Sequence, residues 1–138
     1  MEEIRLDELA LEETRSATDP EVRHRGTYPI AWPQGAASSA VVVFELEPGC
    51  RLGRHTHTAE EVVLVMAGRV RARVGEEERD LAAGALAVVP ALTGHDVANA
   101  GDEVARCLGF FPSAAVVTVF DDLMQPGGGH VQGTPMPE

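Results

Sequence analysis

From Ser39 onward the chain is a series of short apolar runs separated by Gly and Pro, the punctuation of an all-β domain. The run Ala40 to Glu47 places Ala40, Val42, Phe44 and Leu46 on one face and Glu45 and Glu47 on the other, the period of two expected of a half-buried strand. Pro48-Gly49 then turns the chain. Glu61 to Ala67 is apolar on both faces, the pattern of a central strand covered on each side. After Gly68, Val70, Ala72 and Val74 alternate with Arg69, Arg71 and Arg73. The arginine stripe offers an anion site as one reading, but is expected to be a solvated outer face, balanced by Glu76, Glu77 and Glu78 across a turn near Gly75. Further strands are predicted at Ala85–Val89, His95–Ala98, Val104–Phe111 and Ala115–Phe120. Many short strands with tight turns and no internal helix predict a sandwich or a barrel closed on itself.

The two ends read differently. Residues 1–26 are charged, with Ile4, Leu6, Leu9 and Leu11 scattered among glutamates, which suits a short helix or an arm that packs on a neighbour. Arg23-His24-Arg25 and a turn-rich stretch from Gly26 to Gly35 follow, the latter containing Tyr28 and Trp32. Beyond Gln125 the chain is rich in Gly and Pro. The expected organisation is an N-terminal arm over 1–35, a β-barrel over 36–120 and an irregular tail over 121–138.

Composition narrows the function. At 138 residues there is room for one compact domain and one core. Twenty-two acidic against 11 basic residues give a formal charge of −11, which repels phosphate backbones and anionic lipid, so neither nucleic acid nor a membrane is an expected partner. No apolar run approaches the roughly 20 residues that span a bilayer, and the acidic first twenty residues do not read as a secretory signal. A cytoplasmic location is expected, with Cys50 and Cys107 reduced and without a CxxC pairing.

Chemistry concentrates in one segment. In an extended strand His55 and His57 point to the same side, and Glu61, four residues on, stays in phase with them. Two imidazoles and a carboxylate converging from one face suit a borderline divalent metal, and His95 can complete the shell from another strand. A histidine on a strand also serves as an ordinary core or surface residue, and parity alone leaves that alternative open.

The same residues carry a resemblance. Gly49-x5-His55-x-His57-x3-Glu61-x6-Gly68 matches the first signature of the cupin superfamily at every defined position. Gly84-x5-Pro90-x4-His95-x3-Asn99 resembles the second, with one departure: the glycine usual two residues after the proline is Leu92 here, and Gly94 stands just before His95. The resemblance implies a double-stranded β-helix, a jelly-roll barrel with an N-terminal arm. It also implies one divalent metal ion (Fe, Mn, Ni or Zn) on His55, His57, Glu61 and His95. It is similar to quercetin dioxygenase-like cupins. The implied activity is therefore that of a metal-dependent, dioxygenase-type oxidoreductase acting on a small oxygenated molecule, with Glu61 also available as a base. A metal-dependent isomerase or lyase, or a non-catalytic ligand-binding or sensor cupin, is the alternative. Cupins of this kind commonly pair, so a homodimer is expected. Val63, Val65, Phe44 and Leu46 are candidate lumen residues, and Arg106 is a candidate anion anchor if its face looks inward.

Overall fold

The computed structural model describes residues 1–137. It is nearly all β, with twelve strands: β1 Glu12–Ser16, β2 Arg23–Ile30, β3 Ala40–Leu46, β4 His55–His57, β5 Glu61–Ala67, β6 Arg69–Val74, β7 Glu77–Ala82, β8 Leu86–Val89, β9 His95–Asn99, β10 Ala105–Phe111, β11 Val117–Gln125 and β12 Gly129–Gly133. They hydrogen-bond in the order β7-β6-β9-β4-β11-β1-β2-β3-β10-β5-β8, with β12 added to β11. Among the described residues no helix is long and apolar enough to cross a membrane.

The core explains how this sheet curls. Val70 and Val97, near one end of the strand order, share a buried cluster with Phe44, Leu46, Val63, Val65, Val89 and Cys107 near the other end. Only a sheet rolled back on itself brings these side chains together, and the result is the jelly-roll barrel of the expected class. Each fully buried Val or Leu contributes about 1.5–3 kcal/mol relative to exposure, so closure and the hydrophobic pattern are the same fact seen twice. The alternation fixes which face turns in. On β10, Ala105 and Cys107 are buried, whereas Arg106 points outward to Glu45 and the Leu6 carbonyl. Arg106 therefore does not anchor anything in the lumen.

The arginine stripe is an outer face, as expected. Its partners come from β7, a strand not predicted: Arg71 meets Asp80 at 2.9 Å and Arg73 meets Glu78 at 2.8 Å. The ends also differ from expectation. In place of a longer helix or loose arm, Leu6–Glu8 and Trp32–Gln34 make single helical turns, and β1 and β2 are inserted between β11 and β3. Beyond Phe120 the chain is not irregular. β11 continues to Gln125 and pairs with β12 across the Pro126–Gly128 turn. Charged residues on the outer face of β2, and glycines flanking β12, had masked the alternation. Glu138 lies outside the described residues.

Candidate metal centre

β4 lies between β9 and β11, and His55 is the register partner of His95. His57, two residues along β4, points the same way. The three ring centroids lie 4.1–5.0 Å apart, and one ligand atom from each residue lies within 4.8 Å of the others. Each Nδ1 is taken up behind the ring. His55 Nδ1 donates to the Gly53 carbonyl at 2.7 Å, and His95 Nδ1 to the Thr93 carbonyl at 2.9 Å. His57 Nδ1 meets the Thr118 hydroxyl at 2.7 Å. A carbonyl can only accept, so for His55 and His95 the proton sits on Nδ1 and the Nε2 lone pair faces the cluster.

Glu61, the first residue of β5, brings its carboxylate to the same place. Oε1 is 3.5 Å from His57 Nε2 and 3.8 Å from His95 Nε2. These gaps are longer than a good hydrogen bond, so the groups converge without saturating one another. His95 Nε2 is in fact buried with no partner, an arrangement that costs about 1–3 kcal/mol unless something takes the lone pair. The room for Glu61 is made by Gly109 on the neighbouring β10, where a Cβ would overlap the Glu61 carboxylate and press on Val42.

Electrostatics suit a cation. Burial, and then the adjoining His95 and His57, hold His55 well below the usual histidine range, so its ring is neutral. Burial pushes Glu61 up, but the pull of His57 and His95 more than reverses it, to about 2, so the carboxylate is anionic. Three imidazoles with a carboxylate beside them, all buried, are the donor set that a borderline divalent ion takes. The residues fit the group: the three histidines can hold one metal ion.

The profile of the Cupin domain family matches residues 42–111. The chain is a cupin.

Solved structures agree on the fold. This cupin superposes on the formate complex of oxalate decarboxylase from Lactobacillus farciminis with a TM-score of 0.71 at 20% identity, covering 84% of this chain and 34% of that one. A Bacillus subtilis oxalate decarboxylase studied for its Mn(II) centres gives 0.64 at 22% identity, covering 78% and 30%. A proposed sugar phosphate isomerase from Acidithiobacillus ferrooxidans gives 0.67 at 17% identity and is covered almost end to end, 96% against 93%. The chain thus spans about a third of the oxalate decarboxylases' length. No curated protein matches it.

The second cupin signature departs at Leu92, and the backbone there keeps the left-handed turn that a glycine would supply. Leu92 has φ of 61°, at a cost of roughly 1–2 kcal/mol, and its amide donates to the His57 carbonyl at 2.8 Å. The turn is thus left-handed without a glycine at this position, and it delivers the Thr93 carbonyl to His95.

The cluster opens into a cavity of about 320 Å³, at the small end for a ligand site. Phe44 and Val63 line it, as expected of lumen residues; Val65 and Leu46 are core. Tyr28 lines it too, whereas Trp32 is on the surface. Burial and the Glu61 charge raise the Tyr28 phenol, against a smaller opposing effect of the Thr118 hydroxyl. It stays protonated. Thr118, Phe120 and His24 also face the cavity. Thr118 and Phe120 carry no sequence signal as site residues, whereas His24, Gly26 and Tyr28 alternate on β2, a parity that places His24 and Tyr28 on one face.

Proposed function

We propose that this cupin is a small-molecule metalloenzyme of dioxygenase type, acting on a small oxygenated organic substrate, with His55, His57, Glu61 and His95 holding one divalent ion. The observation that carries the reading is the buried, partnerless Nε2 of His95, set among two further imidazoles and an anionic carboxylate that face a cavity. When bound, the ion supplies Lewis acidity and, if redox-active, the electron transfer that oxygen chemistry needs. The chain supplies the rest. Val42, Phe44, Leu52, Val63 and Val97 give the cavity an apolar wall. The hydrogen-bond partners behind the three rings fix their orientation. Glu61, if it left the ion, would be the carboxylate available to take a proton from a substrate hydroxyl, and Tyr28 keeps a proton at Oη to return.

The pairing of a protonated phenol with a carboxylate favours one second reading, a metal-dependent isomerase or lyase that moves a proton without oxygen. A non-catalytic binding module is the non-enzyme alternative. Oxygen uptake by the Fe(II)-loaded protein separates them, measured with β-dicarbonyl, catechol-like and flavonoid compounds. Substrate-dependent uptake with oxygenated product supports the dioxygenase. Anaerobic deuterium exchange into substrate without uptake moves the assignment to isomerase or lyase, and tight binding with neither makes the protein a binding module.

A cytoplasmic homodimer is part of the same proposal. Both cysteines are free, which suits a reducing compartment. On the outer face of β3-β10-β5-β8, register aligns Val43, Leu108, Leu64 and Leu86 in one row and Val41, Phe110, Val62 and Val88 in the next. Leu86, Val88 and Phe110 are exposed, an apolar face suited to a second copy. Light scattering that returned a monomer would remove the dimer.

A further inference from the structure

The cavity holds a fourth histidine that the metal centre does not use. His24 lies on β2, in register with Thr14 of β1, and its ring stacks on Phe120 at 6.3 Å; Phe120 in turn packs on His55 at 5.0 Å. Its Nδ1 is enclosed without a hydrogen-bond partner. Such a group is costly in a folded protein, and an isosteric apolar residue would avoid the cost. The residue itself lines the cavity, so its ring is placed to meet the polar end of a ligand there.

The surroundings say what that something is. All eleven basic residues of the chain are arginines, and among the described residues none of them lines the cavity. The charged side chains that do line it are Glu12 and Glu61, and its uncharged polar groups include Thr14, Thr27, Tyr28, Thr118 and Gln132. A second carboxylate or a phosphate on a ligand would find no cation away from the metal centre and would face Glu12. Burial also lowers His24 to about 4, so near neutral pH it offers a neutral donor and acceptor and no positive charge.

We propose that His24 is a specificity-determining residue that hydrogen-bonds the metal-distal end of the ligand, so that the cavity selects molecules carrying an uncharged hydroxyl or carbonyl there over dicarboxylates and phosphates. This rests on the reading of the cluster as a metal centre. It adds the chemical class of the ligand's far end.

Three hydroxypyranone chelators make the test. Kojic acid, allomaltol and comenic acid present the same metal-binding edge and differ distally in a hydroxymethyl, a methyl or a carboxylate. Their affinities for the Zn(II)-loaded protein are measured by calorimetry, with zinc content read separately for each variant. Kojic acid is expected to bind about five- to tenfold more tightly than allomaltol, the worth of one hydrogen bond, and comenic acid most weakly. His24→Phe, which keeps the stack on Phe120, is expected to equalise kojic acid and allomaltol with zinc content unchanged. His24→Gln is expected to restore part of the preference, which rules out a purely structural effect. Equal binding of kojic acid and allomaltol to the parent protein, a preference that survives in His24→Phe, or a zinc-loaded protein that binds none of the three would overturn the proposal. Failure to hold zinc would instead overturn the metal reading, and this inference with it.

Discussion

Two turns deliver histidines to the cluster by the same device, and they are built differently. Before His55 the chain passes through Gly53 at φ +89°, and the Gly53 carbonyl fixes His55 Nδ1. Before His95 it passes through Leu92 at φ 61°, and the Thr93 carbonyl fixes His95 Nδ1. In both, the acceptor is the carbonyl two residues upstream of the ring. The first turn uses a glycine and is braced from outside: Asp96 accepts the Gly53 amide at 3.0 Å and Arg51 at 2.7 Å, and Arg51 also donates to Asp19 at 2.7 Å. The second holds a left-handed leucine that is 71% exposed. A ligand ring can thus be fixed either by a relaxed, braced turn or by a strained one anchored through a backbone hydrogen bond to His57.

The largest effect is expected at the braced turn. Gly53→Ala combines the left-handed φ with a Cβ placed 2.7 Å from Val22 Cγ1, and should cost roughly 2–4 kcal/mol, read as a lowered denaturant midpoint. A change below 0.5 kcal/mol would mean the turn is free to rearrange.

His24, an imidazole that neither turn holds, is the control for how a free ring behaves. Its pKa is lowered from 6.5 to about 4 by burial, so below pH 6.5 the unfolded chain binds a proton that the folded chain refuses. Its contribution is whole above pH 6.5 and falls as pH drops to 4, by at most about 3 kcal/mol. Denaturation of the parent and His24→Phe across that window should show the steeper acid loss in the parent; parallel curves would contradict it.

The brace itself comes next. Asp96→Asn keeps an acceptor for Gly53 but weakens the Arg51 pair, and should lower metal affinity about 10–100-fold with the fold retained. Leu92→Gly is the smallest change and has the opposite sign. Relief of the left-handed strain, less the entropy glycine adds to the unfolded chain, should stabilise by about 1 kcal/mol with metal affinity unchanged. Destabilisation there would mean that the exposed leucine packs against a partner.

These turns also mark where sequence legibility stops. The strands from Ala40 to Phe111 were readable because one face of each is buried, which writes period two into the chain; β7, all charge until Leu81, was not. His55, His57 and Glu61 were readable together by parity, since they lie close in sequence on extended backbone. The pairing of His55 with His95 was not, because register is a tertiary fact. Leu92 was visible as a departure, while the retention of the turn depends on contacts with His57. Tyr28 and His24 were hidden because β2 carries arginines outside and was read as an arm, and Thr118 has no pattern of its own beyond lying opposite His57.

The central claim is that the turns, β4, β5 and β9 assemble one ion site. The most direct measurement is elemental analysis of protein purified without added metal or chelator, beside the His57→Ala/His95→Ala double variant shown by circular dichroism to be folded. The account predicts about one divalent ion per parent chain, recoverable by reconstitution after stripping, and none in the variant. A parent chain that holds no ion and takes up none of Fe(II), Mn(II), Ni(II) or Zn(II), or a double variant that retains its ion, would contradict it.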